Sequence, residues 1–317
     1  MGAMALPKTI AAVAASCFRP SLSTIYKHHL LHYPPHLSFN NVSSTFKLFQ
    51  TSVTNLSEAT CLEENGSSRV VGDVISSPNL VALEYADLNL PLNCEEVGLI
   101  RVRQHVNPLS STFSVPAEVP DWNDVFRDSS LPLMVDIGCG SGRFLLWQAK
   151  RNDGSNNYLG LEIRNKLVKR ANFWAKELSL SNAHFVFANA TVSFQQLASS
   201  YPGPLVLVSI LCPDPHFKKR HHKRRVLQKP LVDSIVDNLT SGGRVFMQSD
   251  VHEVAVNMRN HFDIVSDMLH VDAIDPFFGC DLDGWLLSNP MGIRTEREIH
   301  AELEGAKIYR RLYQKKT

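Results

Sequence analysis

The chain has 317 residues, 44% of them hydrophobic, enough to bury a full core, and its 32 Lys plus Arg nearly balance 31 Asp plus Glu. No apolar stretch reaches the about 18 residues a membrane-spanning helix needs, and the near-neutral charge means that any polyanion must meet a local basic patch. The cysteines Cys17, Cys61, Cys94, Cys139, Cys212 and Cys280 show no paired metal-ligand spacing and read as reduced thiols.

Residues 1–57 contain no Asp or Glu, while Lys8, Arg19, Lys27 and Lys47 are spread among Ser, Thr and apolar residues. That composition predicts an organellar transit peptide, with a disordered tail or a secretory signal as alternatives. Met1-Gly2 does not predict myristoylation, because Leu6 stands where Ser or Thr is needed. Without this segment 28 basic residues face 31 acidic ones, so the remainder is slightly acidic. Residues 58–130 carry Pro78, Pro91, Pro108, Pro116 and Pro120 and predict an extended arm of little regular structure, packed on the domain that follows.

From residue 131 to 317, apolar runs alternate with amphipathic stretches, the pattern of a parallel α/β sheet. Strands are predicted over 133–137, 158–161, 184–188, 205–211 and 244–248. Helices are predicted to begin near Gly142, Lys166, Ser193, Arg225 and Val251. Gly242-Gly243 predicts the turn into the fifth strand. Residues 271–294 read as an irregular insertion, followed by a helix over 295–303 and a closing strand over 307–313.

The first strand runs into Asp136-Ile137-Gly138-Cys139-Gly140-Ser141-Gly142. Its glycines allow a tight turn and close approach of the backbone to a ligand. Asp136 suits a cationic amino group, and Glu162, about 20 residues past the loop at the end of the second strand, suits ribose hydroxyls. A nicotinamide cofactor uses similar parts, but Arg143 stands where the dinucleotide motif needs Gly or Ala, which favours S-adenosylmethionine. A nucleotide cofactor and a purely structural turn remain as alternatives. Asn189-Ala190, at the end of the third strand, is either a contact to an adenine or a small turn.

The fourth strand ends in Cys212-Pro213-Asp214-Pro215-His216-Phe217, followed by the basic run Lys218 to Arg225. Two prolines hold Asp214 where strand ends form the crevice of an open α/β sheet, and the adjacent run predicts phosphate binding. Adjacent His221 and His222 point in different directions with no partner in register, so no metal site is expected.

From about Arg101 onward the chain resembles the bacterial-type tRNA (guanine-N(7)-)-methyltransferases. The resemblance rests on DIGCGSG, GLEIR at 160–164, Asn189-Ala190, PDPHFKKRHHKRR, Ser249-Asp250 and TEREIHAELEG at 295–305. The arm RVRQHVNP at 101–108 is similar to the cyanobacterial and plastid branch, which favours chloroplast over mitochondrion as the destination. The resemblance implies the Rossmann-like class I S-adenosylmethionine-dependent methyltransferase fold, a mostly parallel seven-stranded sheet with helices on both faces. It also implies methylation of nitrogen 7 of a tRNA guanine in the variable loop. Asp136, Gly138, Gly140, Glu162, Ile163, Arg164, Asn189, Ala190 and Leu211 would border S-adenosylmethionine. Asp214 would be the catalytic acid, and Lys218, Asp250, Thr295, Glu296, Arg297 and Glu298 would contact the tRNA. Ser249 departs from the common Thr, and His216 stands where many bacterial members have Trp. Methylation of an exocyclic RNA amine, a catalytically silent RNA-binding subunit and an oxidoreductase are the competing functions.

Overall fold

The computed structural model describes residues 76–90, 106–275 and 278–317. The expected transit peptide and residues 101–105 of the arm motif lie outside the described residues. A seven-stranded sheet organises the chain: β1 (Leu133–Ile137), β2 (Asn157–Glu162), β3 (Ala183–Phe187), β4 (Leu205–Leu211), β5 (Leu239–Ser249), β6 (Met268–His270) and β7 (Tyr309–Lys315), in the order β3-β2-β1-β4-β5-β7-β6. The first five strands pair in parallel; β7 is antiparallel to both β5 and β6. This is the predicted mostly parallel, Rossmann-like sheet.

All five residues of β1 are buried, as a central strand covered on both faces requires. Leu133, Val135 and Ile137 join one apolar cluster with Phe194 and Leu197 of α5 (Ala190–Ser200), Leu231 and Ile235 of α6 (Lys229–Asn238), and Val254 and Met258 of α7 (His252–Asp263). Met134 faces the opposite cluster, built from Phe144 and Leu145 of α3 (Arg143–Arg151), Trp174 of α4 (Asn165–Glu177) and Ile299 of α8 (Glu296–Leu303). The period-2 alternation of β1 thus feeds two helical layers.

Several elements differ from expectation. Ser77–Glu84 is a helix, α1, inside the segment expected to be irregular: Pro78 sits in its first turn, where a missing N–H is harmless. A short helix, α2, covers Trp122–Val125. No helix begins at Arg225. Residues Lys219–Arg224 form a 3-10 turn, and α6 starts at Lys229 with Pro230 in its first turn. Gly242-Gly243 does not precede β5 but lies inside it, at a register irregularity opposite β4. The three-residue β6 is too short to leave a periodic signal.

Segments before β1 are bonded to the domain. The Tyr85 hydroxyl donates to the Arg294 carbonyl at 2.6 Å, and Glu84 pairs with Arg294 at 2.6 Å. Trp122 stacks with Phe126 and meets Tyr201 edge-on, and its indole N–H donates to Ser200.

Candidate active site

The glycine loop leaves β1 between two carboxylates. Asp136 is 3% exposed and accepts from the Ser209 hydroxyl at 2.6 Å. Burial, reinforced by nearby Glu162 and opposed by the Ser209 hydrogen bond, pushes its pKa up to about 7. Glu162 ends β2, and its carboxylate accepts from the Gly140 N–H at 3.0 Å and from the Arg164 N–H at 2.9 Å. The Arg164 guanidinium adds bonds of 2.8 and 3.0 Å. The loop is tight because Gly142 and Gly160 leave no room for side chains. A Cβ on Gly142, whose φ is +83°, would lie 2.7 Å from Ala171, and one on Gly160 would strike Phe185 and lie 2.7 Å from the Cys139 sulfur.

Beyond β3, the Asn189 side chain caps α5 by accepting from the Thr191 N–H, while its amide donates to the carbonyls of Pro108 (3.1 Å) and Phe113 (3.0 Å). Asn189 therefore pins the segment before β1 against the site. Val106, Pro108 and Leu109 of that segment line the cavity.

After β4 the chain passes through two non-glycine residues with positive φ, Cys212 (50°) and His216 (44°), on either side of Pro213-Asp214-Pro215. Such backbone needs outside support. Arg225 provides it: this buried side chain donates from Nε to the Pro215 carbonyl at 2.9 Å and pairs with Glu253 of α7 at 2.7 Å. The His216 N–H also donates to the Asp214 carboxylate at 3.3 Å. Burial pushes the neighbouring Cys212 thiol up to about 12, so it stays protonated and unreactive.

These segments enclose a cavity of about 480 Å³, within the range of small-molecule sites. Of the residues expected at the site, the fold brings Gly138, Glu162, Ile163, Arg164, Asn189, Ala190, Asp214, Asp250 and Arg297 into its lining. Asp136, Gly140, Leu211, Lys218, Thr295, Glu296 and Glu298 are not in it. Asp136 lies behind the loop, and Lys218 is exposed outside the cavity. Asp250 pairs with Arg297 through bonds of 2.5 and 3.1 Å. Glu296 pairs with Arg143 at 2.7 Å and accepts from Ser141, tying α8 to the glycine loop.

Thr295 and Glu298 differ most from the expectation of tRNA contact. They form the capping box of α8. Glu298 is 0% exposed and also accepts from Gln248 (3.0 Å), Asn289 (3.2 Å) and Arg310 (2.5 Å). The TEREIHAEL run is the helix expected there, and its first turn, where substrate contacts were expected, holds a buried ionic anchor.

Sequence reading missed Ser209, Arg225, Glu253 and Gln248. Ser209 faces Asp136 only through the β1–β4 register, a relation with no local signature. Arg225 looked like one more member of a basic run. Away from the cavity, His270, Asp272 and Cys280 bring their ligand atoms within 4.8 Å of one another, a cluster that their sequence spacing did not announce.

A family model described as "Putative methyltransferase" matches residues 130–311. The tRNA (guanine-N(7)-)-methyltransferase of Synechococcus elongatus is 46% identical over 215 residues, covering 68% of this chain and 96% of that protein. The enzymes of the same name from Trichormus variabilis and a Synechocystis species are 44% and 43% identical, over 68% of this chain and 96% and 98% of their own lengths. An agreement of this depth, running through both the glycine loop and the Asp214 segment, means that the chain belongs to the tRNA (guanine-N(7)-)-methyltransferase family.

Proposed function

We propose that this chain transfers a methyl group from S-adenosylmethionine to nitrogen 7 of a guanine in the variable loop of tRNA, with Asp214 as the acid at the acceptor. The observation that carries this reading is the shared cavity: Gly138 and Glu162 line one side and the doubly restrained Asp214 the other.

The residues present fit the cofactor. Gly138 of the loop and the Glu162 carboxylate line the cavity, and Ile163, Ala188 and Ala190 give an apolar wall for a purine, while Asp136 supports the loop from its buried position. Glu162 already accepts four hydrogen bonds, so ribose hydroxyls binding there take the place of the Arg164 guanidinium. When bound, S-adenosylmethionine supplies an electrophilic methyl group on a sulfonium centre.

Nitrogen 7 of guanine has a free lone pair and no proton, so no general base is needed. Positioning is the main task of the protein, and holding two reactants in line supplies several kcal/mol of the barrier reduction. The guanine ring gains positive charge as the bond forms. The Asp214 carboxylate, fixed by Pro213, Pro215 and the Arg225 strut, stabilises that charge or holds the amino edge of the base. The Lys218 to Arg224 run beside it supplies cations for the RNA backbone.

Replacing Asp214 by Ala tests the assignment. Turnover is expected to fall by about 10²-fold or more while cofactor affinity stays within about threefold. A folded variant with wild-type turnover would remove Asp214 from the chemistry. Delivery to the chloroplast belongs to the same proposal, supported by the acid-free composition of residues 1–57 and by cyanobacterial relatives. A fluorescent fusion of residues 1–60 that stays in the cytosol or enters mitochondria would contradict it.

A further inference from the structure

Helix α4 carries Lys166, Lys169, Arg170 and Lys176 against one acidic residue, Glu177 in its last turn. Spacings of three and four place Lys166, Lys169 and Arg170 on one side, opposite the buried Leu167, Val168, Ala171 and Ala175. Lys166 and Lys169 are exposed and have no ion pair among the described residues. The first turn of α4 stands at the carboxyl end of β2, directly after Arg164 of the cavity lining.

Trp174 reveals a charge surplus on this helix. Its ring carries two guanidiniums, Arg143 at 4.8 Å and Arg170 at 4.7 Å from the ring centroid. Arg143 has Glu296 as partner at 2.7 Å. Among the described residues Arg170 makes no ion pair, feeling Glu296 only at longer range, and its Nε is buried without a hydrogen-bond partner. Burial, then the positive charge of Arg143, holds Arg170 below the ordinary arginine range. Two cations on one indole with one carboxylate between them repel each other, and a bound anion relieves that repulsion.

The position of this surplus gives it meaning. β2 and β4 are the two neighbours of β1. The basic face of α4 follows β2 and the Lys218 to Arg225 run follows β4, so the two flank the cavity from opposite sides. In a chain of almost balanced charge, these two concentrations of positive charge both follow the carboxyl ends of inner strands.

We infer that the Lys166, Lys169 and Arg170 face of α4, backed by Arg143, is a second phosphate track for tRNA, so that the RNA backbone is gripped on both sides of the target base. The inference rests on tRNA being the substrate. Phosphate contacts on two flanks fix the orientation of the nucleotide between them, which methylation at a single ring nitrogen requires.

The test is tRNA binding by the full chain between 50 and 200 mM salt, for wild type, for Lys166→Gln/Lys169→Gln and for the triple variant adding Arg170→Gln. The double variant leaves both guanidiniums on Trp174 in place and guards against a folding defect, and cofactor affinity serves as the folding control. Each lost phosphate contact flattens the slope of log K against log salt by about 0.7 to 0.9. The double variant is therefore expected to lose about 1.5 from the slope and the triple about 2 to 3. A slope equal to wild type in the folded double and triple variants would overturn the inference. Formation of 7-methylguanosine by the wild type is scored separately: its absence strikes the substrate reading, whereas its presence with unchanged slopes strikes the α4 track alone.

Discussion

Replacing Glu298 by Ala separates a scaffold from a substrate contact. The carboxylate is fully buried, and its partner Arg310 is 8% exposed, so the substitution strands a guanidinium in the interior. Removing one partner of a buried pair costs about 3 to 5 kcal/mol. Glu302 keeps a 3.3 Å contact to Arg310, which places the effect near the lower end, at about 3 kcal/mol. Loss of the capping box and of the Gln248 and Asn289 bonds acts in the same direction. For a domain of this size, about 3 kcal/mol lowers the Tm by about 6 to 12 °C. Thermal unfolding measures this directly, with Glu296→Gln as a half-exposed control expected to cost about 1 kcal/mol or less. An unchanged Tm together with weakened tRNA binding would refute the scaffold role of Glu298.

Three further outcomes follow from the site. Asp136, with its pKa raised to about 7, keeps in the folded state a proton that the unfolded chain gives up near pH 4. Its contribution to stability therefore falls as pH rises from about 4 to about 7, and Asp136→Asn should flatten the pH dependence of the Tm in that window; an identical profile would contradict the buried, protonated state. Gly160→Ala drives a methyl group against Phe185 and Cys139, and is expected to cost about 1 to 3 kcal/mol in unfolding experiments and to weaken cofactor binding through the displaced loop; full retention of both would be inconsistent with the packing. Replacing Lys218, Lys219 and Arg220 together should weaken tRNA binding and flatten its salt dependence; an unchanged slope would move the RNA path away from this run.

The sheet was legible where strands are buried on both faces, because β1 and β4 read as continuous apolar runs ended by chemistry-bearing residues. Gly138, Glu162 and Asp214 stood out because turn residues and restrained acids at strand ends carry local signatures. What depends on register between distant segments was not legible. The Ser209 bond to Asp136 joins neighbouring strands, and Arg225 holds Pro215 only through the fold. Sequence also separates poorly between charges that face a ligand and charges that face one another. Lys218 and Arg225 belong to one basic run, yet one is exposed and the other is a buried strut. Glu296 and Glu298 sit in one helical turn, yet one braces the glycine loop and the other is walled in by Arg310 and Gln248.

The most direct measurement is to incubate the purified protein with S-adenosylmethionine and unmodified tRNA, digest the RNA and identify the methylated nucleoside and its position. The proposed function predicts 7-methylguanosine in the variable loop, lost in Asp214→Ala. Methyl transfer to an exocyclic amine, or binding of tRNA with no methylated product, would contradict it.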